Sequence, residues 1–197
     1  MKSHWMYRSL ASLVVVVMAA RAEAGLLPVS ATSTADNNNF RFTYGVVLTS
    51  DSTLRTGDYF TVYDFQGFVA GSTVQPENFS FSVSKTGGTP PGTVPFDDPN
   101  LDNLTWTYIG AETLPGQQGI GNFSAISTNS ESRTAAAFTA RTHRQFDGAI
   151  DSNITETLIP GSENPETPGV PEPASLALAG IGLPLAGLLR YIRRNKK

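Results

Sequence analysis

The chain has 197 residues, only 16% of them charged, and no cysteine, which excludes disulfide scaffolds, thiolate-held metals and thiol nucleophiles. Its formal charge of −3 is unevenly spread: 8 of the 14 basic residues lie near the termini, while residues 25–170 hold 15 acidic and six basic residues, a net −9. Such a field repels a phosphate backbone, so nucleic acid is not an expected partner.

In chain order, Met1 to Arg8 carries Lys2 and Arg8, an apolar run of 11 residues follows from Leu10 to Ala20, and small residues come next. This is the layout of a secretory signal peptide. The run would reach only about 16 Å as a helix, short of a hydrocarbon core of roughly 30 Å, so removal is expected rather than a lasting anchor. An A-x-A site fits at Ala22 and Ala24, with cleavage before Gly25, and Ala20 and Ala22 offer a second register.

Residues 25–159 read as one exported domain. Ser and Thr supply 35 of the 146 residues from Gly25 to Val170, which favours strands and turns over helices. Phe40-Arg41-Phe42-Thr43-Tyr44 alternates aromatic and polar side chains and runs into Val46, Val47 and Leu48, the pattern of a half-buried strand. Tyr59 to Phe65 predicts a second strand. Asn78 to Ser84 predicts a third, with Phe79, Phe81 and Val83 on one face, and Leu104 to Ile109 a fourth, with Leu104, Trp106 and Tyr108 on one face. Asn122 to Ser127 and Thr134 to Thr142 are weaker candidates, and Ala135-Ala136-Ala137 suits a helix equally well. Gly- and Pro-rich breaks such as Thr56-Gly57-Asp58, Gly87-Gly88 and Pro90-Pro91-Gly92 punctuate these runs. No recurring βα unit is present, so the expected fold is all-β, an antiparallel sandwich of jelly-roll-like or Ig-like type.

Candidate chemistry within this domain is sparse. Asp98, Asn100 and Asp102 have the spacing that opens a calcium loop, but Asn103 and Ile109 replace the loop's glycine and closing glutamate. Asp97 and Asp98 imitate a pair of glycosidase carboxylates, which must face each other across a sugar. His143 is the only histidine of the exported portion, and Asp147 and many serines allow a triad to be drawn, without a G-x-S-x-G elbow. Sequons begin at Asn78, Asn103, Asn122 and Asn153. Trp106, Tyr108, Tyr59, Phe60, Tyr63 and Phe65 read as core before they read as a carbohydrate platform. The reading therefore assigns no catalytic residue, no metal ligand and no cofactor, and the protein is not expected to be an enzyme.

Pro160 to Gly169, within a linker at 160–170, is rich in Pro and Gly, acidic and free of apolar side chains, as an exposed spacer would be. Pro171-Glu172-Pro173 follows, an extended strip that cannot continue a helix. Ala174 to Leu189 then holds no ionisable side chain, and a span of 174–192 would cover about 28 Å as a helix. Arg190, Arg193, Arg194, Lys196 and Lys197 form a terminal basic cluster that belongs on the cytoplasmic side. This tripartite tail over residues 171–197 resembles the PEP-CTERM sorting signal of Gram-negative bacteria.

The resemblance implies that an exosortase, a multipass membrane cysteine protease, recognises Pro171, Glu172 and Pro173 and cuts at or near them. The signal peptide implies the Sec export machinery and signal peptidase as further processing partners. The expected protein is a non-catalytic component of the cell surface or extracellular matrix, with extracellular polysaccharide a candidate partner. The alternatives are an exported matrix-modifying enzyme such as a glycan hydrolase, and a periplasmic binding domain kept on a single-pass anchor.

Overall fold

The computed structural model describes residues 25–162. The expected signal peptide with Ala22 and Ala24, the strip Pro171, Glu172 and Pro173, the span at 174–192, the basic cluster and most of the spacer lie outside the described residues. Within them the chain forms ten strands: β1 (Leu26–Asp36), β2 (Asn39–Leu48), β3 (Ser52–Leu54), β4 (Tyr59–Phe65), β5 (Phe79–Ser84), β6 (Asp102–Tyr108), β7 (Leu114–Pro115), β8 (Gln118–Ser127), β9 (Ser132–Arg144) and β10 (Ile150–Pro160). Every pairing among them is antiparallel. Among the described residues no helix is long and apolar enough to cross a membrane.

The strands make two sheets, one of three strands in the order β1-β2-β8 and one of seven. In the larger sheet the order is β5-β6-β4-β9-β3-β7, and β10 pairs with β9. Both sheets feed one apolar core. Phe42, Tyr44, Val46 and Leu48 of β2 alternate onto it, as do Phe123 and Ala125 of β8, opposite Phe60, Val62, Leu104, Trp106, Phe138 and Ala140 of the larger sheet. Phe60 lies at the hub: its ring stacks on Trp106 at 5.2 Å and Phe138 at 5.1 Å, and meets Phe123 of the other sheet edge-on at 4.8 Å.

The Ala-rich stretch is strand, not helix, because Val62 and Phe60 of β4 pair with Phe138 and Ala140 of β9 while β10 pairs with its other edge. Of the expected apolar face of β5, Phe79 is buried and Phe81 packs against the core, but Val83 is 46% exposed where this edge strand runs beyond its cover.

Strand β4 is buried on both faces, and the Gly- and Pro-rich loop after β5 explains why. Thr61 Oγ1 donates to the Gly88 carbonyl at 3.0 Å and lies 2.9 Å from Thr105 Oγ1, while the Tyr63 hydroxyl meets Thr89 Oγ1 at 3.1 Å and Thr139 Oγ1 at 3.3 Å. The loop therefore lies on a row of hydroxyls. Gly88 has φ +68°, and a Cβ there would stand 2.5 Å from Thr61 Oγ1 and 2.8 Å from Thr105 Oγ1, so only glycine permits this close approach.

Candidate functional site

Strand β9 carries His143 to its end, where it pairs with Thr53 of β3 and Ile150 of β10. The Arg55–Asp58 turn closes beside it: Asp58 N donates to the Arg55 carbonyl at 2.9 Å, and Arg55 N donates to Asp58 Oδ2 at 2.8 Å. Gly57 at φ +91° lets this turn form. The result is a fully buried Asp58 carboxylate whose Oδ2 lies 3.0 Å from His143 Nδ1, while its Oδ1 is buried without a partner. A carboxylate on Nδ1 fixes the tautomer in which Nδ1 carries the proton and Nε2 is the free acceptor. The imidazole side chain is 15% exposed.

Cations gather at the same pole. Arg141 Nη1 reaches the Gly57 carbonyl at 3.4 Å, and Arg144 pairs with Asp147 at 2.9 Å and stands 5.2 Å from the centroid of Phe146. Arg55 completes the group, its guanidinium lying 3.0 Å from the position a Cβ would take on Gly148. Three of the six basic residues of 25–170 thus lie at this pole of the domain. Phe146, at the tip between β9 and β10, is 80% exposed. The chain leaves the described domain at the far end of β10, about 35 Å away at strand rise, where Gly161 N donates to the Glu131 carbonyl.

The triad drawn on the sequence has a different carboxylate: Asp147 belongs to Arg144, and Asp58 holds His143. Asp58 was missed because 85 residues separate it from His143 and it reads locally as a turn residue. Asp98, Asn100 and Asp102 do not turn their oxygens to one point: Asp98 Oδ1 accepts the Asn100 backbone and side-chain N–H groups, both at 2.9 Å, and Asp102 faces Lys85 at 2.8 Å. Asp97 accepts from Asn103 Nδ2 at 2.8 Å, so the Asp97 and Asp98 carboxylates are engaged with different neighbours. Among the described residues no three His, Asp or Glu side chains converge as a metal site. Asn78 and Asn122 are exposed, whereas Asn103 and Asn153 are buried and closed to glycan transfer in the folded chain. Of the six weighed aromatics, only Tyr59 is not buried; it is half-buried and pairs with Arg141.

Among the described residues Asp64 is the other buried acid. It sits at φ +55° in the β4 bulge, is 2% exposed, and accepts the Asp98 N–H at 2.9 Å. Burial pushes its carboxyl above the usual carboxylate range, against the pull of the Asp98 N–H and Arg133. A folded-state shift in this direction favours folding while the acid is protonated in both states, and that contribution is lost as pH rises through the raised value. Asn keeps the acceptor, tolerates the left-handed backbone and removes the charge. D64N is therefore expected to be more stable than the parent at neutral pH, with the gap closing as pH falls below the ordinary Asp range. Denaturant titrations at the two pH values check this.

Comparison with known families bears on the tail. Residues 169–194 match the family model for the PEP-CTERM protein-sorting motif. The chain carries a PEP-CTERM motif. The match begins two residues before Pro171 and ends at Arg194, so it contains the Pro171-Glu172-Pro173 strip, the apolar run and the first three basic residues of the cluster. A PEP-CTERM motif marks an exported protein for exosortase-dependent sorting. No curated protein matches the chain.

Proposed function

We propose that this PEP-CTERM protein is a non-catalytic component of the cell surface or extracellular matrix. In this reading a signal peptidase removes residues 1–24 after export. The span at 174–192 and the basic cluster then hold the tail in the membrane, and an exosortase cuts at or near Pro171-Glu172-Pro173. The two sheets act as a sandwich of jelly-roll or Ig-like type, and the Arg55–Arg141–His143 pole, at the opposite end of β10 from Pro160, meets extracellular polysaccharide. The sorting motif at 169–194 is the observation that carries the reading. Intact mass measurement on the mature protein from its native host is expected to show loss of Ala174–Lys197, and replacing Pro171 and Pro173 with Ala is expected to leave the full tail in the membrane fraction. Recovery of the full tail from the unaltered protein would overturn it.

The Asp58–His143 pair favours a second reading, a hydrolase that uses His143 Nε2 as a base toward water. Glycan hydrolysis that disappears in both D58N and H143A would establish that alternative. Equal product release by the parent and both variants would remove it.

A further inference from the structure

The first described residue stands in an unusual setting. Gly25 is buried, its N–H donates to Thr49 Oγ1 at 2.9 Å, and its carbonyl accepts the Thr49 N–H at 3.0 Å. Two further oxygens face it, Asn153 Oδ1 and Thr142 Oγ1, both buried and both without a hydrogen-bond partner. The Asn153 amide is oriented by its other arm, since Nδ2 donates to the Leu26 carbonyl at 3.1 Å, which turns Oδ1 toward Gly25. An acceptor buried without a donor is destabilising, and here two such oxygens lie within 3.3 Å of one point beside Gly25.

The position that a Cβ would occupy on Gly25 lies 3.0 Å from Asn153 Oδ1 and 3.3 Å from Thr142 Oγ1. Those are hydrogen-bonding distances for a nitrogen. Substituents on Cα are set about 120° apart around the Cα–C bond, so rotation about that bond carries the Gly25 nitrogen into the Cβ position. While a peptide bond precedes Gly25 the rotation would have to carry the preceding chain with it, the nitrogen has one N–H, and the backbone stands at φ +115°. Hydrolysis of the Ala24–Gly25 bond changes all three conditions. The C–N bond breaks, the hydroxyl of water joins the Ala24 carbonyl carbon to give a carboxylate, and the nitrogen takes up protons to become an ammonium. In the rotated position its N–H bonds meet Asn153 Oδ1 and Thr142 Oγ1, while Thr49 Oγ1 keeps its partner Ser52 Oγ at 3.1 Å.

We propose that Gly25 is the mature N-terminus and that its α-ammonium is the missing donor of the buried polar site formed by Thr142 and Asn153, so that export processing completes the fold. The register follows from this geometry: cleavage before Glu23 leaves Gly25 an internal amide with one N–H and leaves both oxygens orphaned. The inference rests on the reading of the protein as exported, but not on the fate of its tail. A Gly25 terminus joined to an uncut tail would defeat the sorting proposal and leave this one standing.

Intact mass and N-terminal sequencing of the mature protein purified from its host are expected to give Gly25-Leu26-Leu27; any other first residue overturns the proposal. In the folded protein the Gly25 amine is expected to react with an acylating reagent at least tenfold more slowly than Lys85, and to react freely after denaturation. Equal rates in the folded state would overturn it. One Ala inserted between Ala24 and Gly25, with the mature terminus confirmed at that Ala, is expected to raise the unfolding constant about tenfold or more. The same insertion is expected to have no further effect when T142V and N153A have removed the acceptors. An insertion that leaves the unfolding constant unchanged overturns the proposal, and if the host still cleaves before Gly25 the acylation rates decide.

Discussion

F60A is expected to lower stability by about 3–5 kcal/mol, much of the roughly 5–15 kcal/mol that a domain of this size has in hand. Phe60 is fully buried and bridges the sheets, with Trp106 and Phe138 on its own side and Phe123 opposite. Truncation removes the transfer free energy of the ring and leaves a cavity that two hydrogen-bonded sheets cannot collapse to fill. The measurement is the midpoint of chemical denaturation, expected to fall sharply with little change in slope. F146A is the control: that ring is 80% exposed, and its loss is expected to shift stability by no more than about 0.5 kcal/mol.

The second large effect lies in the buried acid behind His143. H143A leaves the Asp58 carboxylate buried with only the Arg55 N–H on Oδ2 and nothing on Oδ1. A buried carboxylate that loses such a hydrogen bond is destabilised by on the order of 3 kcal/mol. D58N removes the charge itself, keeps an acceptor for Arg55 N and offers a side-chain N–H to an imidazole free to change tautomer, so its cost is expected to be about 1 kcal/mol. The double variant D58N/H143A is expected to be more stable than H143A alone. If H143A is no less stable than D58N, the His143 Nδ1–H does not support a buried carboxylate. The asymmetry separates a structural role from a catalytic one, in which both single variants lose activity alike.

Local chemistry was legible where one face of a strand meets the core. Tyr59–Phe65 and the Leu104, Trp106, Tyr108 face were readable because aromatic residues recur there with period two, and the register keeps them on one side. Strand β1 was not readable, since an edge strand of the smaller sheet presents Ser, Thr and Ala residues that alternate in exposure but not in hydrophobicity. Strand β10 was hidden for a different reason: a shift in register between Thr155 and Thr157 breaks the alternation that would place Ile154, Leu158 and Ile159. The Asp58–His143 pair depends on strands brought together by the fold, and no spacing along the chain announces such a contact. The Pro171-Glu172-Pro173 tail was legible without any fold, because all its parts are consecutive and its chemistry is that of a linear address.

Strand β10 joins the Phe146 tip to the point where the chain departs toward its sorting tail, and ten register pairs bind it to β9 along the way. Tension applied between the tip and the tail therefore travels through one covalent backbone. Along that path the load bypasses the hydrogen bonds between β9 and β10, so a pull on the tip does not open the ladder one bond at a time like a zip. A domain wired in this manner resists being drawn out by whatever grips its outer end.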